Sequence, residues 1–250
     1  MRQKILLTLS AIFILLVIWF MLSASDLINK LFLPTPLEVA GKLSNLIATG
    51  EILPDIIATL YRTIIGFLIG CAIGISIGLV MGYYEKIYNS LEFIVDFFRS
   101  VPATALFPLF LLFFGIGDEA KIAVVVFASS LIIIVNTMYG VRNRSQIRTA
   151  FAKTLKLGKF DLFKKVILPD SMPHIFAGLR IAVSISLILA VVTEMFIGTS
   201  IGLGRRIMDA QLVYRIPEMY AAIILTGTIG YLINWFVLFI ERKKIHWSGK

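Results

Sequence analysis

The sequence predicts an all-α fold, a polytopic transmembrane helical bundle of about six spans, and three observations carry that expectation. Hydrophobic residues fill 58% of the 250 positions and the mean hydropathy is +0.91, well beyond a soluble globular mixture. Six apolar runs, 5–23, 61–82, 101–116, 121–141, 176–197 and 219–240, approach or reach the ~20 residues that cross a hydrocarbon core. With the N-terminus placed inside the cell, 16 of the 24 Lys and Arg fall in segments on that same side, as the positive-inside rule requires. The net charge of +9 is therefore an orientation signal and calls for no nucleic acid. The runs divide the chain into a first transmembrane helix (1–23), an outer segment (24–60), a membrane core (61–240) with an inner loop at 142–175, and a cytoplasmic tail (241–250).

The first run, Ile5 to Leu22, follows Arg2 and Lys4. A cleaved signal peptide shares this plan, with Ser23, Ala24 and Ser25 as a cleavage site. At 18 residues the run is long enough to span, and an uncleaved helix is the reading adopted. In the outer segment, Thr35 is placed to cap a helix, Pro36 to open it and Glu38 to complete a capping box. Val39, Leu43, Leu46 and Ile47 then share one face, and Gly50 supplies a stop. The one cysteine, Cys71, excludes a disulfide framework within the chain.

The second run carries Gly66, Gly70, Gly74, Gly78 and Gly82 at a strict interval of four. Such a row drifts only ~40° per step and makes a groove that another backbone can approach closely. Helix packing and a direct part in a translocation pathway are both compatible with it. Arg62, near the outer end, is placed to snorkel toward the headgroups. The third run is broken by Pro102 and Pro108 and followed by Gly115 and Gly117. Interrupted helices line many pathways, and a kinked packing helix is the other reading. Asp96 and Arg99 precede it, close enough to pair, and Arg99 joins Pro102 and Pro108 as a candidate for a pathway or gate. Asn136 and Glu194 are polar residues within spans, which makes them candidates for a pathway or gate; for Glu194 an anchor among the outer headgroups is the alternative.

The loop from Arg142 to Ile175 holds eight Lys and Arg (Arg142, Arg144, Arg148, Lys153, Lys156, Lys159, Lys164, Lys165) against two Asp. Ile147, Phe151 and Leu155 recur every fourth residue, and Phe160, Phe163 and Ile167 follow at three and four. That spacing predicts two short amphipathic helices, the first ended by Gly158 and the second by Pro169. Such a surface docks a partner or lies flat on anionic lipid.

No Gly-x-x-x-x-Gly-Lys-Ser/Thr loop is present: Gly41-Lys42-Leu43 and Gly158-Lys159-Phe160 lack its spacing and its hydroxyl. No nucleophile–base arrangement or metal-ligand spacing appears, and His174 and His246 stand alone. The sequence therefore nominates no catalytic residue, metal or cofactor.

The order of landmarks from Leu33-Pro34-Thr35-Pro36 to Trp247 resembles the permease subunits of binding-protein-dependent ABC importers, in the nitrate/sulfonate/taurine branch. The landmarks are Arg99-x-x-Pro102, Pro108, Phe114-Gly115-Ile116-Gly117, Asn136-Thr137, Gly140-Val141-Arg142, Leu168-Pro169, Pro173, Gly178-Leu179-Arg180, Glu194-Met195 and Gly202-Leu203-Gly204. The family's docking loop carries the pattern E-A-A-x-x-x-G, then nine residues, then I-x-L-P. Counted back from Leu168-Pro169, its Glu falls on Ala150, its alanines on Phe151 and Ala152, its Gly on Lys156 and its Ile on Val166. Ala152, Leu168 and Pro169 match; the rest depart, with Gly158 two positions late.

The resemblance implies a permease in a prokaryotic inner or plasma membrane with both termini cytoplasmic. Implied partners are cytoplasmic ABC ATPase subunits, a second permease subunit in a homo- or heterodimer, an extracytoplasmic solute-binding protein and the lipid bilayer. It makes Phe151, Ala152, Leu155, Lys156, Gly158, Phe160, Phe163, Leu168 and Pro169 the coupling loop for an ATPase, with Lys153, Lys156, Lys159 and Lys164 meeting acidic protein or lipid phosphate. A small anion, sulfonate-, nitrate- or taurine-like, is the implied solute. A self-sufficient secondary transporter or channel, and a membrane-embedded enzyme, are the alternative classes.

Overall fold

The structure, a computed structural model, describes residues 2–25, 28, 29, 31–198 and 200–245. The side chains of Arg2, Lys4 and Lys153, and the residues His246, Trp247 and Lys250, lie outside what is described. In chain order the helices are α1 (Arg2–Ala24), α2 (Pro36–Ala48), α3 (Leu53–Tyr83), α4 (Glu85–Ser100), α5 (Phe107–Phe114), α6 (Asp118–Arg142), α7 (Gln146–Thr154), α8 (Lys159–Leu162), α9 (Leu168–Phe196), α10 (Leu203–Leu212) and α11 (Ile216–Lys244). Among the described residues, five helices are long and apolar enough to cross a membrane, or six if the bent pair α4–α5 counts as one span.

The chain divides into two compact units. The first comprises Met1–Ala58 and Ser200–Thr228. In it, Thr35 and Glu38 cap α2 reciprocally, with the Glu38 N–H donating to Thr35 Oγ1 at 3.3 Å and the Thr35 N–H to Glu38 Oε2 at 2.8 Å. Past Thr49, Gly50 takes φ +72°, the left-handed turn that lets the chain leave the helix at little cost. Val39 and Leu46 are buried, while Ile47 at the edge of that face is exposed. Trp19 Nε1 donates to the Pro34 carbonyl at 3.0 Å and its ring stacks on Tyr220.

Arg206 on α10 is the ionic centre of this unit. It meets Asp55 at 2.5 Å, Glu218 at 2.7 Å and Glu51 at 3.2 Å. Asp55 also accepts the Gly202 N–H at 2.8 Å. Burial alone would lower the Arg206 guanidinium, but hydrogen bonds to Asp55 and Glu51 outweigh it and raise the group above its ordinary value.

The second unit comprises Thr59–Thr199 and Ile229–Lys250. Its core is built on α6, which packs along both α3 and α9. Each glycine of the α3 row faces one residue of α6, itself at intervals of four: Gly66 on Val125, Gly70 on Ser129, Gly74 on Ile133, Gly78 on Thr137 and Gly82 on Val141. A Cβ built at Gly66, Gly74 or Gly78 would lie 2.6 Å from a side-chain carbon of α6, nearer than atoms can pack. Two glycines do the same service between α6 and α9, Gly178 against Asn136 and Gly140 against Ser171 and His174. Phe107, Val124, Val125, Leu189, Ala190 and Ile197 form one buried apolar cluster, and Met81, Val95, Ile134 and Met138 another.

Three expectations need correction here. The third span does not run over 101–116: α4 begins at Glu85, and α4 and the segment Ala103–Phe114 meet at 89°. Pro102 caps the 3₁₀ turn Ala103–Leu106 and Pro108 sits in the first turn of α5. Both prolines therefore stand at helix starts, where the missing N–H costs nothing, instead of kinking a helix from inside. Nor does Pro169 end a helix. A π turn at Phe163–Ile167 joins α8 to α9, so that Lys159–Phe196 is one helix of 38 residues. The wider turn just ahead of the proline spares its ring the clash with the preceding carbonyl. Third, Gly158 does not end α7; it is the N-cap of α8.

Candidate functional site

The basic loop folds into a fastened projection. α7 closes at Lys156, which takes φ +55°, while the Leu157 N–H reaches back to the Ala152 carbonyl at 3.3 Å. This is the Schellman arrangement, normally given to glycine because a side chain is strained at positive φ. Lys156 is also the position where the resemblance expects glycine, the residue that such a turn favours. Ala152 is buried beneath α7, and Leu157, Val166 and Pro169 line the same hollow. Asp170, its side chain only 5% exposed, ties α7 to α9: it accepts the Ser145 N–H at 3.1 Å and pairs with Arg148 at 2.8 Å.

What this leaves outward is a ridge of Ile147, Phe151 and Leu155, exposed by 83%, 66% and 60%. Phe160 is also exposed, but on α8 and away from this ridge; it lines a separate groove with Tyr83 and Phe163. Phe163 is half-buried, its ring meeting the edge of Tyr83 at 5.7 Å. Leu168 is half-buried in the first turn of α9.

A second constellation lies inside the bundle. Glu194 on α9 pairs with Arg62 on α3 at 2.6 Å and accepts from the Thr59 hydroxyl at 2.9 Å. Arg62 also meets Asp118 at the start of α6 at 2.8 Å. Nearby, the ammonium of Lys121 donates to the Gly117 carbonyl at 2.8 Å. Arg62, Lys121 and Glu194 are all at most 2% exposed. Arg62 thus does not snorkel and Glu194 is not a headgroup anchor; each is withdrawn from solvent because the other neutralises it.

The remaining sequence candidates are dispersed. Arg99 is exposed and pairs with Asp96 at 3.2 Å. The Asn136 amide donates to the Ile132 carbonyl at 2.9 Å. Sequence reasoning missed Thr59, Asp118 and Lys121. The available signal was that residues of both signs sit near the ends of α3, α6 and α9 that the alternating path of the chain brings to one level.

Residues 70–246 match the family described as binding-protein-dependent transport system inner membrane component. The chain is 30% identical over 236 residues to a putative aliphatic sulfonates transport permease protein of Bacillus subtilis, covering 94% of this chain and 85% of that one. It is 36% identical over 159 residues to a nitrate import permease protein of Leptolyngbya laminosa, covering 64% and 57%. It is 26% identical over 255 residues to a taurine transport system permease protein of Escherichia coli, covering 100% and 92%. In fold it is similar to the solved structure of an inward-facing methionine ABC transporter, with TM-score 0.68, 19% identity, and 77% and 95% of the two chains covered. Family membership decides against a self-sufficient channel or secondary transporter: the chain belongs to the binding-protein-dependent inner membrane components, and is the permease subunit of an ABC importer.

Proposed function

We propose that this permease conducts a small anionic solute of the sulfonate, nitrate or taurine kind, and that α7 is where a separate ATPase grips it. The observation that carries the coupling role is the Ile147–Phe151–Leu155 ridge: three large apolar side chains left exposed on a helix that is itself fastened from beneath. A solvated apolar ridge on a rigid base is what a partner's cleft requires. With the ridge in the cytoplasm, both chain ends face the cytoplasm and a solute-binding protein delivers its solute from the opposite side of the membrane. A second permease subunit completes the pathway, and catalysis of ATP hydrolysis resides in the ATPase subunits.

The names of the relatives support the solute class, together with the family's dependence on a binding protein. Proteoliposomes holding the permease, its ATPase and its binding protein should take up labelled taurine, an alkanesulfonate or nitrate on addition of ATP. Uptake confined to neutral or cationic solutes would overturn the solute assignment. Failure of any ATPase subunit to co-purify in mild detergent would overturn the coupling role of α7.

A further inference from the structure

A groove of about 520 Å³ opens where α3 ends and the Lys159–Phe196 helix begins. Leu79, Val80, Tyr83 and Tyr84 form one wall, and Phe160 and Phe163 the other. The aromatic framework is interlocked, with Tyr83 edge-on to both Phe163 at 5.7 Å and Tyr84 at 4.9 Å. Two cations stand by it: Lys159 lines the groove, and the Lys164 ammonium lies 6.0 Å above the ring of Phe160, itself a lining residue. Both lysines are exposed.

We infer that this groove holds an anionic phospholipid, one acyl chain against the Leu79–Val80 wall and its phosphate between Lys159 and Lys164. Continuity argues for lipid. Ile69, Ile73, Ile77 and Val80 form an exposed apolar stripe along α3 that leads into the groove, so a chain lying on the stripe enters it without leaving hydrocarbon. Level argues for it too. Paired tyrosines at the end of a span mark the headgroup zone, where an amphipathic ring is most at ease. Charge argues for an anion and against a second copy of this chain. The surrounding loop carries eight basic residues against two acidic ones, and basic pockets between transmembrane helices hold acidic headgroups. The site is distinct from the α7 ridge.

The test is lipid retention. The permease, with whatever subunits accompany it, is exchanged into detergent containing equal phosphatidylglycerol and phosphatidylcholine, and bound lipid is read by native mass spectrometry. The wild type should retain phosphatidylglycerol preferentially. The double variant Lys159→Gln/Lys164→Gln should lose that preference, by on the order of tenfold. Val80→Trp, which fills the groove from an exposed position, should lower retention with the lysines intact. Equal retention of the two lipids by the wild type, or unchanged retention in both variants, would refute the assignment. Displacement by millimolar inorganic phosphate would refute it as well, by showing a free-anion site. A photo-crosslinker at Phe160 should label lipid; labelling of an ATPase or a second permease instead overturns it.

Discussion

Arg62 and Glu194, 132 residues apart in sequence, meet at 2.6 Å with Arg62 2% exposed and the Glu194 side chain fully enclosed. The pair pins α3 to α9 at the end where Asp118 opens α6. Two ions in such surroundings stabilise little relative to well-packed apolar residues, but removing one leaves its partner stranded.

Arg62→Met should therefore cost about 3–5 kcal/mol of stability, and Glu194→Met a similar amount. The double variant should recover most of the loss, because neither member of the buried pair is left without the other. Midpoints of unfolding in a denaturing detergent titration measure all three. A double variant as unstable as the sum of the singles would show that the charges do more than neutralise each other.

The glycines facing α6 and those facing nothing should respond with opposite sign. Gly74→Ala drives a methyl to 2.6 Å from Ile133, and overpacking of this kind costs about 1–3 kcal/mol. Gly41 lies within α2 with no atom within 4 Å of a built Cβ, so Gly41→Ala should stabilise by about 0.5–1 kcal/mol through helix propensity alone. The same unfolding titration compares them.

Lys156→Gly should stabilise the projection by about 1 kcal/mol, since glycine relieves the positive φ. Lys156→Val should destabilise it, a branched side chain being worse placed than lysine. Hydrogen exchange at the Leu157 amide, which closes the turn, reports the change locally.

Phe151→Asp changes a residue that is 66% exposed, so stability should move by no more than about 0.5 kcal/mol. ATP-driven uptake should nonetheless fall by at least an order of magnitude, since a charge in the partner's cleft has no counterpart there. Parallel assays of melting and uptake separate the two effects. Phe163→Asp, by contrast, should lose stability, because that ring packs on Tyr83.

Arg206→Met should destabilise by about 3–5 kcal/mol by stranding the buried Asp55, while Glu218 keeps Lys42 and Arg215. Arg206→Lys should fall between it and the wild type: a single ammonium cannot serve three carboxylates as a guanidinium fork does. Thermal melting in detergent ranks the three proteins.

What was legible in the sequence was governed by neighbours close along the chain. The Thr35–Glu38 capping box is decided within four residues. The glycine row is decided by helical periodicity, although its partner row on α6 has no such compositional mark. The basic loop announced two short helices, but their ends went astray. Lysine at positive φ contradicts its own preference and is held there by the Ala152–Leu157 hydrogen bond. A π turn before Pro169 leaves no signature that a count of residue types can detect. The Arg62–Glu194 pair depends on which helix ends meet, and the two residues read separately look like surface groups.

The unbroken run from Lys159 to Phe196 has one more consequence. Its 38 residues extend for ~57 Å, with α7 strapped to its first third through Asp170 and Glu194 clasped near its far end. Pro169 and Pro173 supply no amide hydrogen bond within it, so a tilt imposed at Asp170 passes one weakened turn before the continuous stretch that ends at Glu194 carries it to Arg62. The α7 projection and the Arg62–Glu194 clasp would then move together, with any give confined to the turn at Pro173.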